Sequence, residues 1–173
     1  MLSIWKKTLC LGLAVALLLA GCAQPAREEP APRPPTPVKQ PFDTLVDDLS
    51  LQYAIPMPLA LDDQLVQELL GLEAEAVADY RGYISMLPGC ADHLLAVRSA
   101  AESAEDICRA MQQRLDDLGE SYAQWPDALE AIRGGQAFFY KDYAFLVVTG
   151  QPGDDHGALS AEIAKKLTDN FEK

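Results

Sequence analysis

Cys90 and His93 are the residues of this chain whose types and spacing come closest to a reactive site. A cysteine and a histidine with two residues between them can share a metal ion, but a structural zinc site needs four ligands in a closed tetrahedral arrangement. Only Cys108 and His156 remain in the domain as further soft ligands, and neither belongs to a second tight pair. We therefore predict no metal site and interpret the segment as a turn that carries an exposed histidine beside a half-buried cysteine.

Cys90 and His93 could also act as a nucleophile and its base. A catalytic thiol needs a nearby base and a lowered pKa, whereas the neighbouring Asp92 would raise the pKa of Cys90. The chain also lacks the Gly-x-Ser-x-Gly sequence that presents a nucleophilic serine. We therefore predict no catalytic residues and a protein that is not an enzyme.

The two cysteines of the domain, Cys90 and Cys108, leave two alternatives open. Outside the cytoplasm they could form a disulfide, although sequence alone does not place their Cα atoms within bonding reach. They could instead serve an envelope enzyme or a thiol-redox protein, which we keep as the alternative function.

Aromatic side chains are concentrated on the predicted strands, where they could line a groove for a peptide, a glycan or a partner protein. Core packing is the more common fate of strand aromatics. If one face of the sheet is open, these residues become the best candidate for a binding surface. The candidate surface residues are Tyr80, Tyr83, Phe139 and Tyr143.

An alternation of helices and strands positions these residues. Asp62 can cap a helix that Gly71 ends, and Ser103 and Asp106 have capping-box spacing at the start of a longer helix. The order is helix, two strands, long helix, two strands, helix, with strands predicted at residues 80–87, 93–99, 136–140 and 143–149. We predict an α+β domain: a small antiparallel sheet of about four strands, in two strand pairs, with helices packed on one face.

The charge of the chain restricts its partners. The full chain has a formal net charge of −12, and the part from Pro41 onward has 9 basic and 24 acidic residues. We expect no nucleic-acid partner, because phosphate binding needs clustered lysine and arginine side chains. An anionic lipid surface would repel the domain as well, so an envelope protein or peptide is the expected partner of the domain itself.

The N-terminal residues are typical of a targeting segment. Lys6 and Lys7 precede an apolar run at residues 9–20, which is shorter than the roughly 20 apolar residues of a membrane span and fits the apolar region of a secretory signal. The sequence Leu19-Ala20-Gly21-Cys22 resembles the bacterial lipoprotein box. That resemblance implies a diacylglycerol on the Cys22 thiol, further acyl chains such as palmitate, and removal of residues 1–21 as a signal peptide.

The mature chain would then begin with a lipid anchor and a tether. Two or three acyl chains give a stable anchor, so we expect the membrane as a partner and no cofactor besides the covalent lipid. Prolines are concentrated in residues 25–41, which favours extended polyproline geometry. We divide the chain into the signal peptide (1–21), a lipidated proline-rich tether (22–41) and a single α+β domain (42–173). The expected location is the outer face of the cytoplasmic membrane, or the outer membrane of a Gram-negative source.

The order and spacing of five stretches indicate a known family. They are residues 80–86, 93–97, 104–118, 143–148 and 170–173. Together they are similar to an uncharacterised family of Gram-positive envelope lipoproteins, the domain of unknown function 4358. The resemblance implies the same α+β layout and a lipoprotein of the cell envelope, but it transfers no activity and no catalytic residues. We therefore expect a membrane-anchored, extracytoplasmic, non-catalytic binding module.

Overall fold

The computed structural model describes residues 34–100 and 103–172 of the chain. The predicted signal peptide, Cys22 and the tether as far as residue 33 lie outside the described residues. Within the described ranges, no helix is both long enough and apolar enough to span a bilayer. What is described is thus the predicted domain with the last residues of its tether.

The described residues contain five α-helices, five strands and one short 3-10 helix. Pro126 occupies the first position of one helix. Gly71, in the left-handed conformation, follows the last turn of another helix and ends it as the sequence predicts. The elements in chain order are α1 (Phe42–Gln52), β1 (Pro58–Ala60), α2 (Asp63–Leu70), the 3-10 helix (Ala74–Ala76), β2 (Val77–Ser85), β3 (His93–Ser99), α3 (Ala104–Ser121), α4 (Pro126–Gly134), β4 (Gln136–Tyr140), β5 (Tyr143–Val148) and α5 (His156–Asp169).

The five strands form one antiparallel sheet in the order β1-β2-β3-β5-β4. The predicted α+β class is confirmed, and β2–β3 and β4–β5 correspond to the two predicted strand pairs. The sheet has one strand more than the expected four. The sequence does not indicate the extra strand β1, because this strand has only three residues and begins with Pro58. In the structure all three residues are exposed, so they lack the alternation of buried and exposed side chains that marks a strand.

Helices cover both faces of the sheet, where we expected them on one. The central strands β3 and β5 have buried side chains on both faces, so each face needs its own cover. Leu95 and Val97 enter a core with α2, α3 and α4, whereas Leu94 and Ala96 enter a core with α1 and α5. The sheet is therefore the middle layer of three.

The last residues of the predicted tether are hydrogen-bonded to the C-terminal end of the domain. Val38 forms an antiparallel bridge with Phe171, and the Lys39 N–H donates to the Asn170 carbonyl oxygen at 2.8 Å. The Asn170 side chain donates to the Gln40 carbonyl oxygen (2.8 Å) and accepts from the Gln40 N–H (3.1 Å). We call this end of the domain, with the β4–β5 turn beside it, the attachment end.

Candidate ligand-binding site at the end of the sheet

Two of the four candidate surface aromatics, Tyr83 and Tyr143, lie on the face that α1 and α5 cover. Tyr143 is buried, with 7% of its surface exposed. The Tyr83 hydroxyl donates to Asp47 Oδ1 (2.8 Å) and accepts from Arg81 Nη2 (2.8 Å), while Arg81 donates two hydrogen bonds to the Asp47 carboxylate (2.7 and 2.8 Å). These contacts fasten α1 to β2, so both tyrosines serve packing.

The other two aromatics, Tyr80 and Phe139, lie on the opposite face. They pair with Val97 and Ala144, whose side chains enter the core beneath α3. Because β3 and β5 lie between their strands, three strand spacings, about 14 Å, separate them. The Tyr80 hydroxyl donates to Asp63 Oδ1 (2.7 Å), and Phe139 is 49% exposed on an edge strand. The structure therefore does not bring the four aromatics together into one surface.

The two cysteines of the domain are free thiols, and both are half-buried. Cys90 precedes β3, and Cys108 lies one turn into α3. The strand between them in the chain, β3, has seven residues and is about 23 Å long. The candidate disulfide between them is not formed in this structure. Burial raises the pKa of both thiols, which keeps them protonated at neutral pH.

His93 is buried, which corrects the interpretation of residues 90–93 as a turn with an exposed histidine. The residue begins β3 and is 3% exposed. Its Nδ1 lies 2.9 Å from the Ala91 carbonyl oxygen and must carry the donated proton, and its Nε2 faces Arg114 Nη2 at 3.4 Å. Burial lowers the pKa of His93 to about 4, so the ring is neutral at neutral pH. No group of three or more His, Cys, Asp or Glu side chains suited to a metal ion occurs in residues 34–100 and 103–172.

The end of the sheet at which β3 begins has a group of buried polar side chains. His93 pairs with Ile84 of β2 on one side and with Val148 of β5 on the other. The next residues beyond these pairs, Ser85, Asp92 and Thr149, therefore lie side by side, with their side chains on the face opposite to that of His93. The first turns of α5 cover that face, where His156 Nδ1 lies 3.0 Å from the Thr149 carbonyl oxygen. The polar cluster consists of Ser85, Asp92, Thr149, His156 and Ser160, each at most 9% exposed.

The loop before α5 sets the position of His156. The Asp155 side chain caps the helix by accepting from the Ala158 N–H (3.0 Å), and Asp154 Oδ2 accepts from the Gln151 N–H (2.8 Å). Gly150 has φ +127° and packs so closely on the His156 ring that a Cβ there would collide with it. The carboxylates of this loop thus hold its own backbone and the start of the helix.

Four atoms of the polar cluster have no hydrogen-bond partner among the described residues. They are Asp92 Oδ2, Thr149 Oγ1, His156 Nε2 and Ser160 Oγ. Buried polar side-chain atoms are paired in the great majority of cases, so each exception needs an explanation, such as a water molecule or a ligand. His156 Nδ1 carries the proton that it donates to the Thr149 carbonyl oxygen. The unpaired atoms of the cluster are therefore one carboxylate oxygen, two hydroxyl groups that can donate or accept, and one ring nitrogen.

A cavity of about 260 Å³ lies beside Asp92. Prolines and a leucine form much of its wall, with Asp92 and Asp127 as the charged side chains that line it among the described residues. Burial raises the pKa of Asp92 to about 6, although the neighbouring Cys90 thiol and His156 act in the opposite direction. None of the ion pairs found in the described part of the chain includes Asp92.

Exposed apolar side chains lie on or next to segments that line this cavity, and we call them the apolar rim. The Met86 N–H donates to the Met57 carbonyl oxygen (3.1 Å), which brings β1 next to the β2–β3 loop. Trp125 packs on Gly89 of the same loop so closely that a Cβ on Gly89 would lie 2.7 Å from its ring. The rim consists of Met57 (60% exposed), Met86 (54%), Leu87 (42%) and Trp125 (44%). The cavity, the polar cluster and the apolar rim together form the cavity end of the domain.

A second depression, of about 880 Å³, lies between α2 and the start of β2. Its walls carry Asp63, Glu73, Glu75 and Asp79, all exposed to solvent. The hydrogen bond from Tyr80 to Asp63 is the main cause that raises the pKa of Tyr80 to about 12. We call this depression the acidic groove. Because none of the described residues that line it has a buried polar side-chain atom without a partner, we place the candidate site at the cavity end.

Sequence reasoning missed most of the polar cluster, although one signal could have found part of it. His156, Ser160, Ile163 and Leu167 are all buried and recur at helical spacing on α5. The apolar residues of the sequence alone predict a stripe of Leu159, Ile163, Leu167 and Phe171 on this helix, but Leu159 is only half-buried. Two polar residues at the start of an otherwise apolar stripe indicate a polar site beneath the first turns of a helix.

A scan against protein-family models matches residues 53–149 to the family described as "Domain of unknown function (DUF4358)". The matched span runs from the end of α1 to the residue after β5, so it includes Asp92 and Thr149 but not α5. The search of curated proteins and the search of solved structures found no match. Because the family model covers more than half of the chain, the protein belongs to the DUF4358 family.

Proposed function

We propose that this protein is a lipid-anchored module of the bacterial cell envelope that binds a polypeptide partner, without catalysis, at its cavity end. The observation that carries the proposal is the position of the tether relative to the cavity. The tether joins the domain at the attachment end, and the cavity, the polar cluster and the apolar rim lie at the other end of the sheet.

The length of the central strand β5 gives the distance between the two ends. Asp142, just before β5, accepts from the Thr36 N–H of the tether (3.3 Å), and Thr149, just after β5, belongs to the polar cluster. The six residues of β5 span about 20 Å. A domain held by residues 34–40 would therefore direct its apolar rim away from the membrane.

The anchor rests on the N-terminal sequence. Lys6 and Lys7, the apolar run 9–20 and the Leu-Ala-Gly-Cys sequence ending at Cys22 have the order of a lipoprotein signal. Proline-rich residues then follow up to the attachment end. This arrangement supports a chain that is held by lipid on Cys22 at the outer face of the cytoplasmic membrane.

The apolar rim supports binding to a polypeptide rather than catalysis. Methionine side chains adapt to partners of varied shape, and exposed apolar groups beside a cavity are typical of an interaction site. A thiol enzyme would need a thiolate, whereas burial raises the pKa of Cys90 and of Cys108. This direction gives no support to the alternative of an envelope enzyme or thiol-redox protein.

The anchor is tested by expressing the full chain and a Cys22→Ala variant in a bacterial host. We expect the wild-type chain in the detergent-extracted membrane fraction, with residues 1–21 absent and a diacylglyceryl mass on Cys22. We expect the variant to lack both the lipid mass and the cleavage. Identical masses and processing for the two chains would contradict the anchor.

The orientation is tested by labelling intact cells with a membrane-impermeant maleimide. The Met86→Cys variant places a thiol on the apolar rim, and the wild-type chain controls for the half-buried Cys90 and Cys108. We expect the variant to react in intact cells to the same extent as after lysis. Reaction only after lysis would contradict an extracytoplasmic rim.

A further inference from the structure

The cavity end contains a buried carboxyl group with an unsatisfied oxygen. Asp92 lines the cavity and is 1% exposed, and its Oδ2 has no hydrogen-bond partner among the described residues. A buried carboxylate is costly unless a positive charge or hydrogen-bond donors compensate it. Among the described residues, no lysine or arginine side chain lines the cavity. A ligand that completes this site would therefore bring donors and a positive charge.

The donor set of the cavity favours an organic cation over a metal ion. Calcium takes six to eight oxygen ligands and zinc takes about four nitrogen or sulfur ligands. The described residues hold no group of three or more His, Cys, Asp and Glu side chains arranged for a metal ion. An ammonium group needs only one close carboxylate oxygen and further acceptors, which matches one unpaired oxygen of Asp92 with Asp127 in the same cavity wall.

The size and the walls of the cavity favour a lysine side chain. Its volume of about 260 Å³ lies below the range of about 300–1,000 Å³ that is typical for drug-sized ligands. Pro56, Leu87, Pro88 and Pro152 in the wall would contact a hydrocarbon stem. Arginine prefers a carboxylate with both oxygens available in one plane, whereas Oδ2 is the oxygen of Asp92 that is buried without a partner.

We propose that the cavity holds the ammonium group of a lysine side chain from the polypeptide partner, with the carboxylate of Asp92 as its counter-ion. The apolar rim contacts the residues that flank this lysine. This inference rests on the proposed function, because it names the chemistry of the partner at the same site. The high negative charge of the domain, with 24 acidic and 9 basic residues from Pro41 onward, adds long-range attraction for a basic segment.

The raised pKa of Asp92 is consistent with this geometry. Burial is its largest cause, with Cys90 beside the carboxyl group and His156 on α5 acting in the opposite direction. Across the cavity, α4 contributes a second acid, Asp127, and no base. A bound ammonium group would add to the partial compensation that Cys90 and His156 give the Asp92 carboxylate.

The test is a titration of the purified full chain in detergent micelles with Nα-acetyl-lysinamide. A Trp5→Phe background leaves Trp125, which packs on Gly89 of the cavity wall, as the single indole that reports binding. Nα-acetyl-norleucinamide has the same chain length without the charge, and Nα-acetyl-argininamide has a different cation. We expect a dissociation constant of about 1 mM for the lysine compound, and binding about tenfold weaker for the other two.

Two variants with the same change of charge locate the effect. Asp92→Asn should weaken binding of the lysine compound about tenfold, and Asp79→Asn, in the exposed wall of the acidic groove, should change it less than about twofold. Equal binding of the lysine and norleucine compounds by the wild-type chain would overturn the proposal, as would equal effects of the two variants. Absence of binding at about 50 mM of the lysine compound, well above the expected constant, would mean that water alone satisfies Asp92 and would also overturn it.

These outcomes are separate from those that test the anchor. The titration uses purified protein and does not depend on where the protein is located. Lysine binding together with an unmodified Cys22 would refute the proposed anchor and leave the site intact. A lipidated Cys22 without lysine binding would refute the site alone.

Discussion

The attachment end and the cavity end of the same sheet differ in how well their side chains are satisfied. At the attachment end, the Phe42 ring packs at a tilt against Tyr143, Phe145 and Phe171, with ring centroids 4.2, 5.6 and 5.2 Å apart. At the cavity end, four buried polar atoms lack partners and four large apolar side chains are exposed. The attachment end thus has packed aromatic side chains, whereas the cavity end has unpaired polar atoms beside exposed apolar groups, as the proposed binding site requires.

Asp142, together with the exposed aromatics Phe139 (49%) and Tyr140 (42%) beside the β4–β5 turn, limits the contrast. Asp142 is 4% exposed, and its Oδ1 has no partner among the described residues. Its Oδ2, however, accepts from the Thr36 N–H, and its carbonyl oxygen accepts from the Ser99 N–H. Asp142 thus connects the tether to the sheet through two of its oxygen atoms. Asp92 Oδ2 makes no hydrogen bond to another part of the described chain.

The largest effect is expected from removing the aromatic centre of the attachment end. Phe42 is 5% exposed, so Phe42→Ala should lower the free energy of unfolding by about 3–5 kcal/mol through lost burial and a residual void. Phe139→Ala, which truncates a phenylalanine that is 49% exposed, should cost less than about 1 kcal/mol. Urea denaturation of the two variants measures both values, and similar losses would contradict a stability role that depends on the burial of Phe42.

The next largest effect is expected at the cavity end, where a substitution of Asp92 should raise the free energy of unfolding at neutral pH. Burial raises the pKa of Asp92 from 3.8 to about 6, so the folded state binds this proton more tightly than the unfolded state. The associated stability is fully present below pH 3.8 and is lost as the pH rises through about 6. Two pKa units correspond to at most about 3 kcal/mol.

Asp92→Asn should therefore be more stable than the wild-type chain at pH 7.5, by up to about 3 kcal/mol, and nearly equal to it below pH 4. Asp79→Asn, at an exposed position, should change the unfolding free energy by less than about 0.5 kcal/mol at pH 7.5. Urea midpoints at the two pH values give the comparison. An Asp92→Asn variant that is less stable at pH 7.5 would show that this carboxylate is satisfied within the fold.

A smaller effect is expected where the tether joins the domain. Asn170→Ala removes two hydrogen bonds to the Gln40 backbone and should cost about 1–2 kcal/mol. Gln113→Ala removes an exposed hydrogen bond to Asp117 and should cost less than about 0.5 kcal/mol. Faster amide exchange of Lys39 in the Asn170 variant would confirm that the side chain holds the tether, and unchanged exchange would contradict it.

The fold was predictable where local patterns match the tertiary structure. The Asp62 cap accepts from the Leu65 N–H (2.8 Å) and Gly71 adopts φ +63°, as their positions in the sequence predict. The unbroken apolar run at residues 143–148 became a central strand, buried throughout. The same run also implies cover on both faces of the sheet, which the prediction of one helical face did not take into account.

The site was less predictable because it depends on register. Asp92 and Thr149 are 57 positions apart, and only the pairing of β3 with β5 brings them side by side. The burial of His93 likewise follows from its position in a central strand, which the preceding Pro-Gly sequence concealed. Side-chain types alone indicate the chemistry available at such positions but not which of them meet.

The most direct test of the contrast between the two ends is an amide NMR titration of the full chain, in micelles, with Nα-acetyl-lysinamide. The account predicts shift changes confined to residues 56–57, 86–92, 125–131 and 149–156, with residues 36–40 and 169–172 unaffected. Shifts centred on the acidic groove at residues 63–81, or spread evenly over the acidic surface, would contradict it.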